Sequence, residues 1–329
     1  MMRTPKPVSR RLVASAAAVI ALAAPAAAGA QEEFPGNKPI EMVVLFPAGT
    51  SADVTARVLA EGMSRQLNTN IVVVNRPGAG GAIGYKYTAA QTPDGHHIVW
   101  NSNSISTSYH AGMLAFDYKA LDLVAQVQVE TPLLVVKSDA PWKGLRELIA
   151  AAKANPGKIT VGNSGVGSHT HMTSISLFKT VGAQVLDVPF GAAQVIPSLL
   201  GAHVQVVVQL PGALVSHVKA GSLRVLAALS VKRDTAFPEV ATAREQGINI
   251  GAELWRGIAV PKGTPKKIIA RLEDAIRKTV ATPEFVKSCE RLAVNPAFLP
   301  VAEFAKVVAR EDAEIAQMMQ SLGLKKSAK

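Results

Sequence analysis

Two short stretches carry residues whose types and spacing could do chemistry. The first is Phe46-Pro47-Ala48-Gly49-Thr50-Ser51-Ala52-Asp53, which leads into a segment where Val54, Val58, Leu59, Met63 and Leu67 recur mostly three and four apart, the spacing of one helix face. Thr50 with Asp53 makes a capping-box-like pair at the start of that helix. A strand, a glycine-containing turn and a helix N-terminus together present free N–H groups and the positive end of a helix dipole, which attracts anions. The same stretch serves equally as an ordinary strand-to-helix connection with a good N-cap. The second stretch is Gly162-Asn163-Ser164-Gly165-Val166-Gly167-Ser168-His169-Thr170-His171, again between a strand-like and a helix-like segment. Its glycines permit close backbone approach, and Ser164, Ser168 and Thr170 carry hydroxyls able to donate to a carboxylate. It reads also as a surface loop with a serine cap. Two such turns in different halves of a chain would make a two-sided anion clamp, and their spacing does not identify the anion.

Several enzyme motifs fail on close reading. Gly78-Ala79-Gly80-Gly81-Ala82-Ile83-Gly84 resembles a dinucleotide loop, but the last glycine of that pattern falls on Ile83 and Asn75-Arg76-Pro77 separates it from the strand before it. Gly162-Asn163-Ser164 starts like a nucleophile elbow until Val166 takes the place of the final glycine. His169 and His171 stand two apart without an Asp, Glu or Cys neighbour, a weak metal set. His96-His97 reads as a turn exit after Pro93-Asp94-Gly95. No assembled acid, base and nucleophile emerges, which favours binding over catalysis and implies no catalytic residue, no metal and no cofactor. Cys289 is the one cysteine, so no intramolecular disulfide forms, and its neighbours Val286 and Leu292 place it on a half-buried helix face.

The elements that must position these turns alternate. Strand-like runs fall at 40–46, 71–74, 98–100, 133–136, 159–161, 184–188, 204–208 and 223–228, with helical patterns at 145–154, 170–180 and 196–200 between them. Pro197 must then lie in a first helical turn. This is the signature of an α/β protein with a largely parallel sheet. After Pro261 the pattern changes to amphipathic helices over 265–279, 283–292 and 301–322. No repeat or low-complexity linker appears. A chain of 329 residues has room for two domains with ample cores, and the missing linker implies that the chain crosses between them through strands, leaving a cleft.

Residues 1–30 read as a signal peptide. Arg3, Lys6, Arg10 and Arg11 form a basic start, residues 12–28 are apolar and Ala-rich, and Ala28-Gly29-Ala30 offers a small-x-small cleavage site before Gln31. Ser9-Arg10-Arg11 faintly resembles a twin-arginine signal, yet paired arginines also occur in Sec signals. Lys and Arg outnumber Asp and Glu by 35 to 24 over the whole chain, without a basic run, which fits attraction of anions better than nucleic-acid binding. Lys325, Lys326 and Lys329 read as a solvated tail.

As a set, the residues resemble the tripartite tricarboxylate transporter receptors, the extracytoplasmic TctC or Bug-type solute-binding proteins. The resemblance runs from Gln31 to Leu324 and is carried by Pro39-Ile40, Phe46-Pro47 with Asp53, and Asn75-Arg76-Pro77-Gly78-Ala79-Gly80-Gly81. Pro93-Asp94-Gly95, Ala154-Asn155-Pro156-Gly157-Lys158, Val188-Pro189-Phe190, His217-Val218-Lys219-Ala220-Gly221 and Pro261-Lys262-Gly263-Thr264-Pro265 complete it. It implies a two-lobed, type II-like periplasmic binding fold with two crossover strands and a ligand cleft between the lobes. Lobe 1 would comprise 31–131 plus 254–329, and lobe 2 would comprise 132–253. The resemblance further implies a periplasmic, monomeric receptor, without catalysis, that passes a small carboxylate to the small and large membrane subunits of a secondary transporter. The same fold would serve a sensor presenting its ligand to a signalling partner.

In that family a carboxylate is held by the loop matching Phe46 to Asp53, partly through ordered waters, and by the loop matching Ser164 to Ser168. The expected ligand-binding residues are therefore Phe46, Ala48, Gly49, Thr50, Asp53, Ser164, Gly167, Ser168 and His169. Three departures bear on the ligand. Ala48 replaces a frequent glycine, Gln209 replaces a frequent Asp, and Arg256 follows Trp255 where an aromatic residue is common. A guanidinium matches a carboxylate bidentately, and loss of the Asp reduces repulsion of a dianion, so a dicarboxylate, aliphatic or aromatic, is the expected ligand. Trp255 and Phe190 are expected as apolar walls, and Asn101, Ser102, Asn103 and Ser104 as polar contacts.

Overall fold

The computed structural model describes Met1, Met2 and residues 34–321, so the signal-peptide reading and the lysine tail lie outside the described residues. Strand β1 (Ile40–Val44) shows how the first layer forms. Successive side chains of a strand point to opposite faces. Ile40, Met42 and Val44 pack in one core with Leu59 and Met63 of α1 (Ser51–Leu67), while Val43 and Leu45 pack in another with Tyr85 of α2 (Ala82–Ala89). Both faces are thus covered, as a near-continuous apolar strand requires. β1 pairs in parallel with β2 (Ile71–Asn75) on one side and with β3 (His97–Ser102) on the other. After α3 (Ser104–His110), the chain enters the long strand β4 (Leu121–Glu130) and then β5 (Leu133–Lys137).

β5 belongs to a second sheet, built with α4 (Leu145–Ala154), β6 (Thr160–Asn163), α5 (His169–Thr180), β7 (Leu186–Pro189), α6 (Val195–Leu200), β8 (Val206–Gln209), α7 (Val215–Lys219) and β9 (Leu223–Ala228). Pro197 is the third residue of α6, where its missing N–H breaks no helical bond. The chain returns as β10 (Leu254–Pro261), followed by α8 (Lys266–Val280), α9 (Pro283–Leu292), β11 (Asn295–Pro300) and α10 (Val301–Ser321). The sheet orders are β11-β4-β10-β3-β1-β2 and β7-β6-β8-β5-β9. The chain therefore leaves the first sheet between Glu130 and Leu133 and re-enters it between Ala228 and Leu254. The protein is a two-lobed α/β fold with two crossings.

The sheets are mixed, which corrects the expectation of a largely parallel sheet. β10 runs antiparallel to β3 and β4, β11 is antiparallel to β4, and β5 is antiparallel to β8 and β9. Each crossing delivers the chain into the next sheet as a reversed strand, so antiparallel pairs cluster where the lobes join. Among the described residues no helix is long and apolar enough to cross a membrane. Cys289 is buried in the first core, and burial, with Glu130 and Glu290 nearby, pushes its thiol up to about 12, leaving it inert.

Candidate functional site

A cavity of about 480 Å³ lies between the two sheets. From the first-sheet side it is lined by Phe46, Ala48 to Ala52, Arg256 and Leu292, and from the second by Ser164, Ala192, Ile196, Gln209, Gly212 and His217, among others. A second space of about 430 Å³ adjoins it and shares Phe46, Ser164 and Ala192; its walls include Gly78 to Gly81 and Val166.

The loop from Phe46 to Thr50 is shaped by Asp53. The carboxylate accepts from the Gly49 N–H at 2.9 Å, from Asn75 Nδ2 at 2.9 Å and from Arg57 Nε and Nη2 at 3.1 and 2.9 Å. Asn75 Nδ2 also donates to the Phe46 carbonyl at 3.0 Å. Burial raises the Asp53 pKa, but the bonds from Arg57, Gly49 and Asn75 outweigh it and hold the group below its ordinary 3.8. The expected capping box is thus replaced by a longer reach: Asp53 bonds Gly49 rather than Thr50, and the Thr50 hydroxyl turns away to donate to the Pro47 carbonyl at 2.7 Å. Gly49 has φ 79°, a conformation that glycine adopts without penalty. Helix α1 has no side-chain cap, and the N–H groups of Ser51, Ala52 and Asp53 have no backbone acceptor, as the first turn of any helix dictates. Ser51 and Ala52 line the cavity, so this end of a long helix faces it with unspent donors.

Arg256 enters the cavity from the floor. It sits at a register shift between Arg256 and Gly257 in the β10–β4 pair, and such bulges re-aim side chains. Glycine is needed next to it, because a Cβ on Gly257 would stand 2.4 Å from the Ala125 carbonyl oxygen. Arg256 is 3% exposed and its Nε donates to Glu130 Oε1 at 2.5 Å. Glu130, the last residue of β4, is fully buried and also accepts from the Ser51 hydroxyl at 2.5 Å and from Gln128 Nε2 at 3.5 Å. Among the described residues the terminal nitrogens of Arg256 carry no hydrogen bond.

The structure brings together Phe46, Ala48, Gly49, Thr50, Ser164, Gln209 and Arg256 of the residues singled out from sequence. The others lie elsewhere. Ser168 caps α5, accepting from the His171 N–H at 3.2 Å, and the Gly167 N–H donates to His171 Nδ1 at 3.1 Å. Thr170 orders the neighbouring loop by accepting from the Ser164 N–H at 3.0 Å. Ser102 and Ser104, with Asn101, surround the Tyr85 hydroxyl in a buried network, and the Tyr85 phenol is pushed up to about 12 by that burial. Asn103 and His169, 2.9 Å apart, line a separate cavity of about 230 Å³ with Glu253 and Glu311. Burial, with the Arg256 charge acting the same way, lowers His169 to about 4, so it is neutral at pH 7. Trp255 is core: it packs edge-on to Phe304 and donates from Nε1 to Glu311, whose carboxyl burial pushes up to about 7. Phe190 packs against the core of the second sheet. Sequence reasoning missed Glu130, the hydrogen bond from Ser51 to it, and the place of His217 in the cavity wall. Only the alternating run Gln126, Gln128, Glu130 at the end of the strand signalled that polar groups were needed there.

Among the described residues no cluster of three His, Cys, Asp or Glu could hold a metal ion. The arrangement offers first-turn N–H donors and a guanidinium to a bound anion.

Comparison with known proteins agrees with this architecture. A family model described as the tripartite tricarboxylate transporter family receptor, TctC, matches residues 55–324. A Cupriavidus necator protein, described as UPF0065 protein in gbd 5'region, is 33% identical over 97% of this chain and 98% of its own length. Protein BugT of Bordetella pertussis is 32% identical over 96% of this chain and 98% of its own. The solved structure of the periplasmic binding protein BugD superposes with a TM-score of 0.80 at 28% identity, covering 88% of this chain and 99% of that one.

Proposed function

The chain belongs to the tripartite tricarboxylate transporter receptor family, and from that premise we propose that it captures a small dicarboxylate, aliphatic or aromatic, and delivers it to the membrane subunits of a tripartite transporter. The working compartment is the periplasm, and the lobes divide near 131/132 and 253/254. One carboxylate docks on the N-terminus of α1 and the Ser164 loop, and the second meets Arg256. The observation that carries this reading is the pairing of two unspent donor sets in one cavity: the free first-turn N–H groups of α1 and the terminal nitrogens of a buried arginine. Gln209 supports it, since a neutral amide at that wall does not repel a dianion.

The test is calorimetric titration with matched acids, succinate against butyrate and adipate against hexanoate. The unmodified protein is expected to bind the diacid of a pair at least about tenfold tighter, the scale of one charge-assisted contact. Arg256→Ala is expected to abolish that advantage. Because alanine leaves Glu130 buried and unpaired, Arg256→Lys serves as a second variant: it keeps a cation for Glu130 but has no second nitrogen for the ligand. Diacid affinity unchanged in both variants would sink the assignment of Arg256.

A further inference from the structure

We propose that Glu130 is a positioning residue that sets the cleft's specificity by accepting the hydrogen bond of the Ser51 hydroxyl, so that the site favours a ligand carrying a hydroxyl beside its carboxylate over the deoxy analogue. The inference rests on the carboxylate reading above and adds to it a requirement on the ligand's other polar group.

A carboxylate only accepts hydrogen bonds, so in the 2.5 Å contact between Ser51 Oγ and Glu130 Oε2 the serine is the donor. Serine has a single hydroxyl proton. With it committed to Glu130, Ser51 Oγ offers the cavity only lone pairs, and Ser51 is a half-buried lining residue. Thr50 behaves alike: its proton goes to the Pro47 carbonyl at 2.7 Å, and it too lines the cavity. Two hydroxyls at the start of α1 are therefore acceptors on the cavity side. Arg256 and the first turn of α1 supply the donors. The same Glu130 that turns Ser51 into an acceptor holds Arg256 Nε at 2.5 Å, so one buried carboxylate orients both kinds of group. Glu130 is fully buried and cannot touch a ligand; it acts through Ser51 and Arg256. A carboxylate oxygen satisfies the donors but meets Ser51 Oγ lone pair against lone pair. A ligand hydroxyl donates to Ser51 and accepts from a neighbouring N–H, meeting both. An analogue lacking it leaves a partly buried acceptor unpaired, which sites built this way discriminate against.

The experiment titrates the full folded protein with malate against succinate and with 2-hydroxyglutarate against glutarate, with thermal unfolding as a check on folding. In the unmodified protein the hydroxylated member of a pair is expected to bind about tenfold tighter or more. Glu130→Gln should bring that ratio to within about twofold of one, because the glutamine amide can donate to Ser51 and release its proton into the cavity. Ser51→Ala leaves Glu130 and Arg256 in place and should do the same; it carries the test alone if Glu130→Gln does not fold. A ratio near one in the unmodified protein, or a ratio that survives Ser51→Ala, overturns the inference. If neither pair binds while other carboxylates stabilise the protein, the inference falls and the carboxylate reading stands. If no carboxylate stabilises it, both fall.

Discussion

A carboxylate buried in a protein must find donors for its lone pairs, and Asp53 and Glu130 meet that requirement to different ends. Asp53 collects the Gly49 N–H, Asn75 and Arg57, and so fixes the loop in front of α1 without lining the cavity itself. Asp53→Asn should lower unfolding stability at pH 7 by about 2 kcal/mol, the scale of hydrogen bonds to a charged group. The pH dependence follows from the sign of the shift. The folded pKa lies below the ordinary 3.8, so the stabilisation is fully present above that value and is lost as pH falls through the lower folded value. Urea midpoints from pH 7 down to pH 2.5 should therefore converge for the two proteins at the acid end; a gap that stays constant with pH would assign the loss to packing instead. The Phe46–Asp53 turn was legible in the sequence because its chemistry is local. The Ser51–Glu130 and Glu130–Arg256 contacts join residues 79 and 126 positions apart, so nothing near Arg256 announces that part of its guanidinium is already engaged.

At the scale of elements, close helix packing explains one glycine that no turn requires. Gly62 lies within α1, and a Cβ there would stand 2.2 Å from the Thr279 methyl of α8. Alanine gains roughly 1 kcal/mol of helix propensity over glycine but overpacks a helix–helix contact by about 1–3 kcal/mol. Gly62→Ala should thus lower the thermal midpoint, and adding Thr279→Ala, which removes the clashing methyl, should restore it. An additive loss in the double variant would contradict this packing. The periodic elements were readable: α4 and α9 span the residues that their apolar spacing marks, and α10 begins at the expected Val301. β4, β10 and β11 were not. β4 buries Gln126, Gln128 and Glu130 at the lobe junction, where alternation normally marks a solvent face. Arg256-Gly257 interrupts β10, and prolines punctuate β11. These strands also supply antiparallel pairs, which is why a largely parallel sheet was expected.

For the whole molecule, both crossings meet the first sheet beside the Glu130–Arg256 pair, since β4 ends at Glu130 and β10 begins at Leu254. A ligand bridging α1, Arg256 and the Ser164 loop would tie the two lobes together directly above those crossings. Binding to the folded state alone stabilises it by mass action, about 2.7 kcal/mol at a hundred times the dissociation constant. The most direct test of the account is the thermal unfolding midpoint of the purified protein across a panel of mono-, di- and tricarboxylates at equal ionic strength. The account predicts a concentration-dependent rise with at least one dicarboxylate and a smaller one with its matched monoacid. No rise with any carboxylate, at concentrations reaching the millimolar range, would contradict it.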